Sequence, residues 1–208
     1  MPPFCLANNL TPLFFAPCER KQPFALRRFV WLLIQAILCP MSNFNTRKLR
    51  QSILATLVYI RDGDKTLMLH RVKKENDYHR GKWNGLGGKF EPGESPEDCA
   101  VREVMEESGL TITRPELRGH IVFPLFDGEN DWYVYLFQAI HWSGTLLTNP
   151  PEGNLAWLTP GEIENIPLWE GDRIFLPWLD EPGIFSAVFT YRAKKLRNYC
   201  VSWYGRDG

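Results

Sequence analysis

Short aliphatic strand patterns interleaved with two helical stretches predict an α/β or α+β sandwich, with helices packed on a sheet. Three observations carry that reading. Runs of aliphatic and β-branched residues recur between turn signals. One stretch has helical spacing with a capping signal at each end. The composition, 44% hydrophobic and 13% aromatic over 208 residues, supplies a sizeable core and is not that of a disordered chain. The length exceeds the usual single-domain size without implying two domains.

The first 40 residues stand apart, with six prolines, three of the five cysteines and an apolar run over 29–39 behind Arg27 and Arg28. Eleven residues are too few to span a bilayer, which needs about 20. The run resembles a signal-peptide core but lacks a small-residue cleavage pattern behind it. Two readings stay open: a short membrane-surface anchor, or a segment that is either ill-ordered or an artefact of the gene model with the natural start at Met41. The second is preferred, because Met41 leads within a dozen residues into the first strand.

Residues 53–60 read as that strand, and Arg61-Asp62-Gly63-Asp64 turns the chain into a second at 66–71, a first hairpin. Residues 73–82 are polar and read as a loop holding Tyr78 and His79. The segment GKWNGLGGK at 81–89 is expected to bring backbone close to a ligand. Then comes the main helix. Ser95 suits the N-cap, Pro96 the first helical position, Glu97 and Asp98 the positive end of the dipole, and Gly109 the stop.

After the helix, residues 120–125 and 132–140 read as a second hairpin around Asp127-Gly128-Glu129-Asn130. Residues 149–153 form a loop, 155–158 a brief strand, and Thr159-Pro160 opens a short turn or helix. A second main helix is expected at 171–179, kinked or ended by Pro177. Pro182-Gly183 turns into a strand at 184–192, with a last strand at 199–203.

Net charge is zero, so nothing points to a nucleic-acid polymer as partner. Cys5, Cys18, Cys39, Cys99 and Cys200 are odd in number and lack CxxC or paired histidine spacing. No zinc site or disulfide framework follows, and a reducing cytoplasm is the default.

Chemistry concentrates on the main helix. Val101, Val104, Met105 and Ser108 share one face with Ala100 on its flank, while Glu103, Glu106 and Glu107 fall together on another. Two unit charges about 6 Å apart repel by roughly 3 kcal/mol at an effective dielectric of about 20. A solvated acidic face relieved by Arg102 is the plain explanation of such a cluster. Mg²⁺ is the sharper one, since it takes carboxylate and carbonyl oxygens and is shared with substrate phosphates.

The spacing decides between them. Gly88, Glu94, Arg102, Glu103, Glu106, Glu107 and Gly109, with bulky apolar Val104 and Leu110, reproduce the signature of the Nudix hydrolases over 23 residues. From about residue 53 to 204 the chain resembles the MutT-type branch of that superfamily, the oxidised-purine nucleoside triphosphate diphosphatases; GKWNGLGGK is close to their equivalent segment. The resemblance implies a Nudix domain over 41–208, a mixed sheet between helices, and hydrolysis of a nucleoside diphosphate linked to another moiety. It implies Mg²⁺ (Mn²⁺ as alternative), a small nucleotide substrate, no membrane, and a cytoplasmic monomer or homodimer.

Residue by residue, the resemblance gives Glu103, Glu106 and Glu107 as metal ligands, with the Gly87 carbonyl and Glu152 beside them. Those four glutamates are the catalytic set. Glu94 and Arg102 brace the helix against its loop. Thr56, Tyr78, Asn84, Lys89, Trp169 and Asp172 form the substrate side, Asn84 as the amide that meets the purine. Relatives carry two adjacent aspartates just beyond the tryptophan; here Gly171 replaces the first and only Asp172 remains. The substrate therefore stays open between 8-oxo-dGTP and another derivative (ADP-ribose, a dinucleoside polyphosphate, an unmodified dNTP). A silent nucleotide-binding module is the reading that the intact glutamates argue against.

Overall fold

The computed structural model describes residues 50–75 and 77–205, so the expectations for residues 1–40 lie outside the described part. Ten strands and three α-helices follow one another among the described residues: β1 (Ser52–Asp62), β2 (Lys65–Arg71), β3 (Trp83–Asn84), α1 (Pro96–Ser108), β4 (Leu110–Thr113), β5 (Glu116–Phe123), β6 (Asp131–Ala139), β7 (His141–Gly144), β8 (Gly153–Leu158), α2 (Pro160–Ile163), α3 (Glu170–Phe175), β9 (Ile184–Arg192) and β10 (Lys195–Tyr204). The main mixed sheet runs β10–β9–β5–β6–β1–β2–β3, and β8 also pairs with β2.

Strand β1 organises the sheet. It pairs in parallel with β6 from Ser52 to Ile60, while its antiparallel pairing with β2 covers only Arg61–Thr66 and Asp62–Lys65. The first hairpin is therefore real but short. Side chains alternate along β1 as a pleated strand requires. Val58 and Ile60 enter a core with Leu86, Ala100 and Val104 under α1; Tyr59 enters another with Phe175, Leu179 and Phe189. The sheet thus lies between helices.

Helix α1 begins and ends where its caps dictate. Ser95 accepts from Asp98 N–H in a reciprocal capping box, and Gly109 closes the helix in the left-handed conformation at φ 77°. The helical faces differ from the sequence expectation. Met105 is 43% exposed, whereas Glu107 is only 4% exposed beside Val104 and Ser108. Gly87 of the glycine-rich segment and Arg71 at the end of β2 meet Glu107, contacts that no helical wheel contains.

Two boundaries differ from the sequence expectation, and the glycine-rich segment, which does line a cavity, makes a second close contact. The glycine-rich segment lies against β1 itself: Val58 and Leu86 exchange backbone hydrogen bonds, and Thr56 N–H donates to Gly88 O at 2.9 Å. A Cβ on Gly85 would come within 2.8 Å of Val58 O, so the small residue serves close strand contact. The helix expected at 171–179 is α3 followed by a 3₁₀ turn, Leu176–Asp180, with Pro177 at its start. The last strand begins at Lys195, and the small antiparallel β4–β7 pair has no counterpart in the sequence reading.

Candidate active site

One cavity of about 750 Å³ receives residues from β1, the loop before β3, the glycine-rich segment, α1, the β5–β6 hairpin, the turn before β8 and α3. Thr56, Tyr78, Asn84, Gly87, Lys89, Glu103, Glu107, Glu152, Trp169 and Asp172 all line it. Of the remaining expected residues Arg102 lines it, while Glu94 and Glu106 do not.

At the acidic end, Arg102 forks Glu94, with Nε to Oε1 at 2.6 Å and Nη2 to Oε2 at 3.0 Å. Its Nη1 also donates to Glu103 at 2.9 Å and Glu106 at 3.2 Å. Those hydrogen bonds and the Glu91 backbone N–H hold Glu94 down to about 2. The Glu106 side chain remains 57% exposed on the outer side. Gly87 N–H donates to Glu107 Oε2 at 2.8 Å, pinning that buried carboxylate to the glycine-rich segment.

Electrostatics mark Glu103 and Glu107 as carboxylates lacking enough positive charge. Burial raises Glu103 despite Arg102. Burial, with Glu152 beside it, pushes Glu107 well above the carboxylate range. Burial also works to raise Glu152, but bonds from Lys74 and the charge of Arg71 outweigh it and keep it low. A bound cation would offset the burial that works against these charges.

The cradle fits this too. A Cβ on Gly88 would land on the Glu103 carboxylate, so glycine leaves the room it occupies. Among the described residues no three acidic donors stand together as a metal-binding group; Arg102, Arg71 and Lys74 pair with Glu103 and Glu152.

At the other end, Tyr78 and Trp169 stack with centroids 5.7 Å apart and planes at 11°. They close on one another instead of standing as two separate walls. Phe126 packs edge-on to both. His79 Nδ1 lies 3.0 Å from Trp169 Nε1 and 3.4 Å from Asn84 Nδ2. Lys89 Nζ sits 5.1 Å over the Trp132 ring, and Asp127 accepts the Trp132 indole N–H at 3.0 Å. Thr56 Oγ1 meets Cys99 Sγ at 3.5 Å. Burial raises Asp172 to about 7, against Lys82 and Arg173.

Comparison with known proteins decides the family. The NUDIX domain model matches residues 51–179. The chain belongs to the Nudix family. An uncharacterised Nudix hydrolase of Bacillus subtilis is 34% identical over 132 residues, 62% of this chain and 80% of that protein. The oxidized purine nucleoside triphosphate hydrolase of Mus musculus is 33% identical over 141 residues, 68% of this chain and 88% of that protein. The MutT protein of Bacillus halodurans superposes with a TM-score of 0.64 at 31% identity, covering 72% of this chain and 97% of that one. This Nudix protein is a hydrolase of phosphoanhydride bonds.

The Nudix domain holds wall residues that the sequence reading left out. Arg71, at the end of β2, reaches Asp77, Glu152 and Glu107. His79, Phe126, Asp127 and Trp132 complete the aromatic end. Position next to Tyr78 was the one sequence signal for His79; nothing local marked the others.

Proposed function

We propose that this Nudix hydrolase cleaves a nucleoside triphosphate to the monophosphate and pyrophosphate with Mg²⁺ bound (Mn²⁺ as alternative), its substrates being oxidised purine nucleotides such as 8-oxo-dGTP. One observation carries the reading. A single cavity holds desolvated carboxylates at one end and an aromatic wall with a buried amide at the other, the two halves of a nucleotide. Similarity to the mouse enzyme and to a MutT protein supports the substrate class.

Glu103, Glu106, Glu107, Glu152 and the Gly87 carbonyl would hold the metal. Bound there, the ion supplies charge neutralisation at the phosphates and a water of lowered pKa. Glu106 joins by turning inward from Arg102, its bond there being exposed and weak. Arg102 and Glu94 fix the helix against the loop, so that Glu103 keeps its direction. Arg71 and Lys74 flank Glu152 and would pair with phosphate oxygens if a metal took the carboxylates. Asn84 and Asp172 meet the base edge, Tyr78 and Trp169 would part from their stack to take its faces, and Thr56 and Lys89 form the walls between. The enzyme acts as a cytoplasmic monomer or homodimer on a small nucleotide.

The test is a nucleotide panel with Mg²⁺, scored by phosphate release after added pyrophosphatase. The expected result is turnover of 8-oxo-dGTP at least about tenfold above dGTP in kcat/KM. Equal rates would remove the oxidised-base assignment; no cleavage of any phosphoanhydride would remove the whole reading.

A further inference from the structure

The tautomer of His79 follows from its neighbours. An indole N–H can only donate, so the Trp169 Nε1 contact at 3.0 Å makes His79 Nδ1 an acceptor. The neutral ring then carries its proton on Nε2. Asn84 meets the same Nδ1 at 3.4 Å, so the amide turns its NH₂ to the ring and its oxygen away. That oxygen, Oδ1, is buried and has no partner. Burial, then the charge of Arg71, hold His79 down to about 4, which keeps the ring neutral and Nδ1 accepting at ordinary pH.

A buried amide oxygen without a donor costs about 1–3 kcal/mol, and native folds keep few such atoms. His79, Asn84 and Trp169 all line the cavity, which places this one where a ligand can relieve it. We infer that His79 is a specificity-positioning residue: held by the Trp169 indole, it orients the Asn84 amide so that Oδ1 receives an N–H from the bound base. The site then favours bases with a donor at that edge and rejects those with an acceptor there. Solvent does not reach Oδ1, so a base gains it only by displacing a neighbouring side chain. The inference rests on the nucleotide reading above, which already gives Asn84 the base edge, and adds that His79 sets which end of that amide faces the base.

The test reads binding alone, by calorimetry on the full chain in EDTA. The probes are 8-oxo-dGMP, its analogue lacking the 2-amine, and its N1-methyl analogue. Wild type is expected to bind 8-oxo-dGMP about tenfold more tightly than at least one analogue, the factor carried by 1.4 kcal/mol. His79→Phe, which keeps a ring but no acceptor, should bring that ratio close to one. His79→Asn, whose Oδ1 can stand in for Nδ1, should keep it. Should His79→Phe not fold, Trp169→Phe removes the donor that fixes the tautomer and is expected to flatten the ratio likewise.

Wild type binding all three probes alike, or a folded variant without the acceptor or donor keeping the wild-type ratio, overturns the inference. Because no metal or turnover is involved, a chain that discriminates but does not hydrolyse contradicts the function alone. A hydrolase that shows no discrimination contradicts this inference alone.

Discussion

Arg71 Nη1 lies 2.5 Å from Glu152 Oε2. The same guanidinium donates through Nε to Asp77 Oδ2 at 2.5 Å, and Asp77 Oδ1 accepts the backbone N–H of His79 at 2.9 Å. One arginine therefore ties the loop carrying Tyr78 and His79 to the acidic end of the cavity. Its planar fork suits two carboxylates at once, which a lysine ammonium does not match.

Replacing Arg71 tests that tie. Arg71→Gln leaves Glu152, Asp77 and Glu107 without their shared cation, and breaking such a part-buried set costs about 2–4 kcal/mol. Burial works against the Asp77 carboxylate, but the Arg71 bond holds its pKa below the unfolded value. That stability is present above an unfolded pKa of about 4 and is lost as pH falls through the folded one. The wild-type advantage over Arg71→Gln in urea denaturation should therefore shrink as pH drops below about 4.

Gly88→Ala separates the site from the fold. The added Cβ would meet the Glu103 carboxylate, the end of a flexible side chain, so the chain can yield without losing its core. Stability should change by less than about 1 kcal/mol. Turnover should fall at least about tenfold, because Glu103 can no longer keep its place. Unchanged kinetics would show that its present position is irrelevant to the reaction.

Glu106 and Glu107 should respond differently to the same substitution. Glu106 is exposed, so Glu106→Gln should leave stability within about 0.5 kcal/mol of wild type. It should nevertheless cut turnover by about a hundredfold or more, with Mn²⁺ binding weakened in parallel. Glu107→Gln replaces a carboxyl whose charged form burial already disfavours, and should hold or raise stability while abolishing turnover. Full activity in Glu106→Gln would remove it from the metal set.

Asp172 gives a pH signature. Burial raises its folded pKa to about 7, so folding favours the protonated acid. The contribution is full below the unfolded value near 4 and is lost as pH rises toward 7. Asp172→Asn should therefore gain stability on wild type by a few kcal/mol between about pH 4 and pH 8. Comparing the two proteins at each pH cancels the other raised carboxylates, Glu103 and Glu107. A difference that does not vary with pH would place the Asp172 charge in solvent.

Much of the acidic end was legible because it is local. Ser95, Pro96 and Gly109 set the helix ends through bonds within a few residues of themselves, and the structure keeps each one. Helical spacing placed Glu103, Glu106 and Glu107 close together, but it could not say which was buried. Glu107 points at Gly87, twenty positions upstream, and Met105 at solvent. The short β4–β7 pair went unread because four residues hold too little pattern to separate a strand from a loop.

The base end was less legible for a topological reason. Tyr78, Phe126 and Trp169 meet only because β1 pairs in parallel with β6 and the chain returns over the sheet through α3. The sequence alone determined the capped helix, the family and the acidic side chains, since short-range bonds and fixed spacing are written in consecutive residues. Tertiary structure alone decided which carboxylates are desolvated and which ring turns the Asn84 amide. Both depend on what distant segments bring against a side chain, and burial and orientation have no local code.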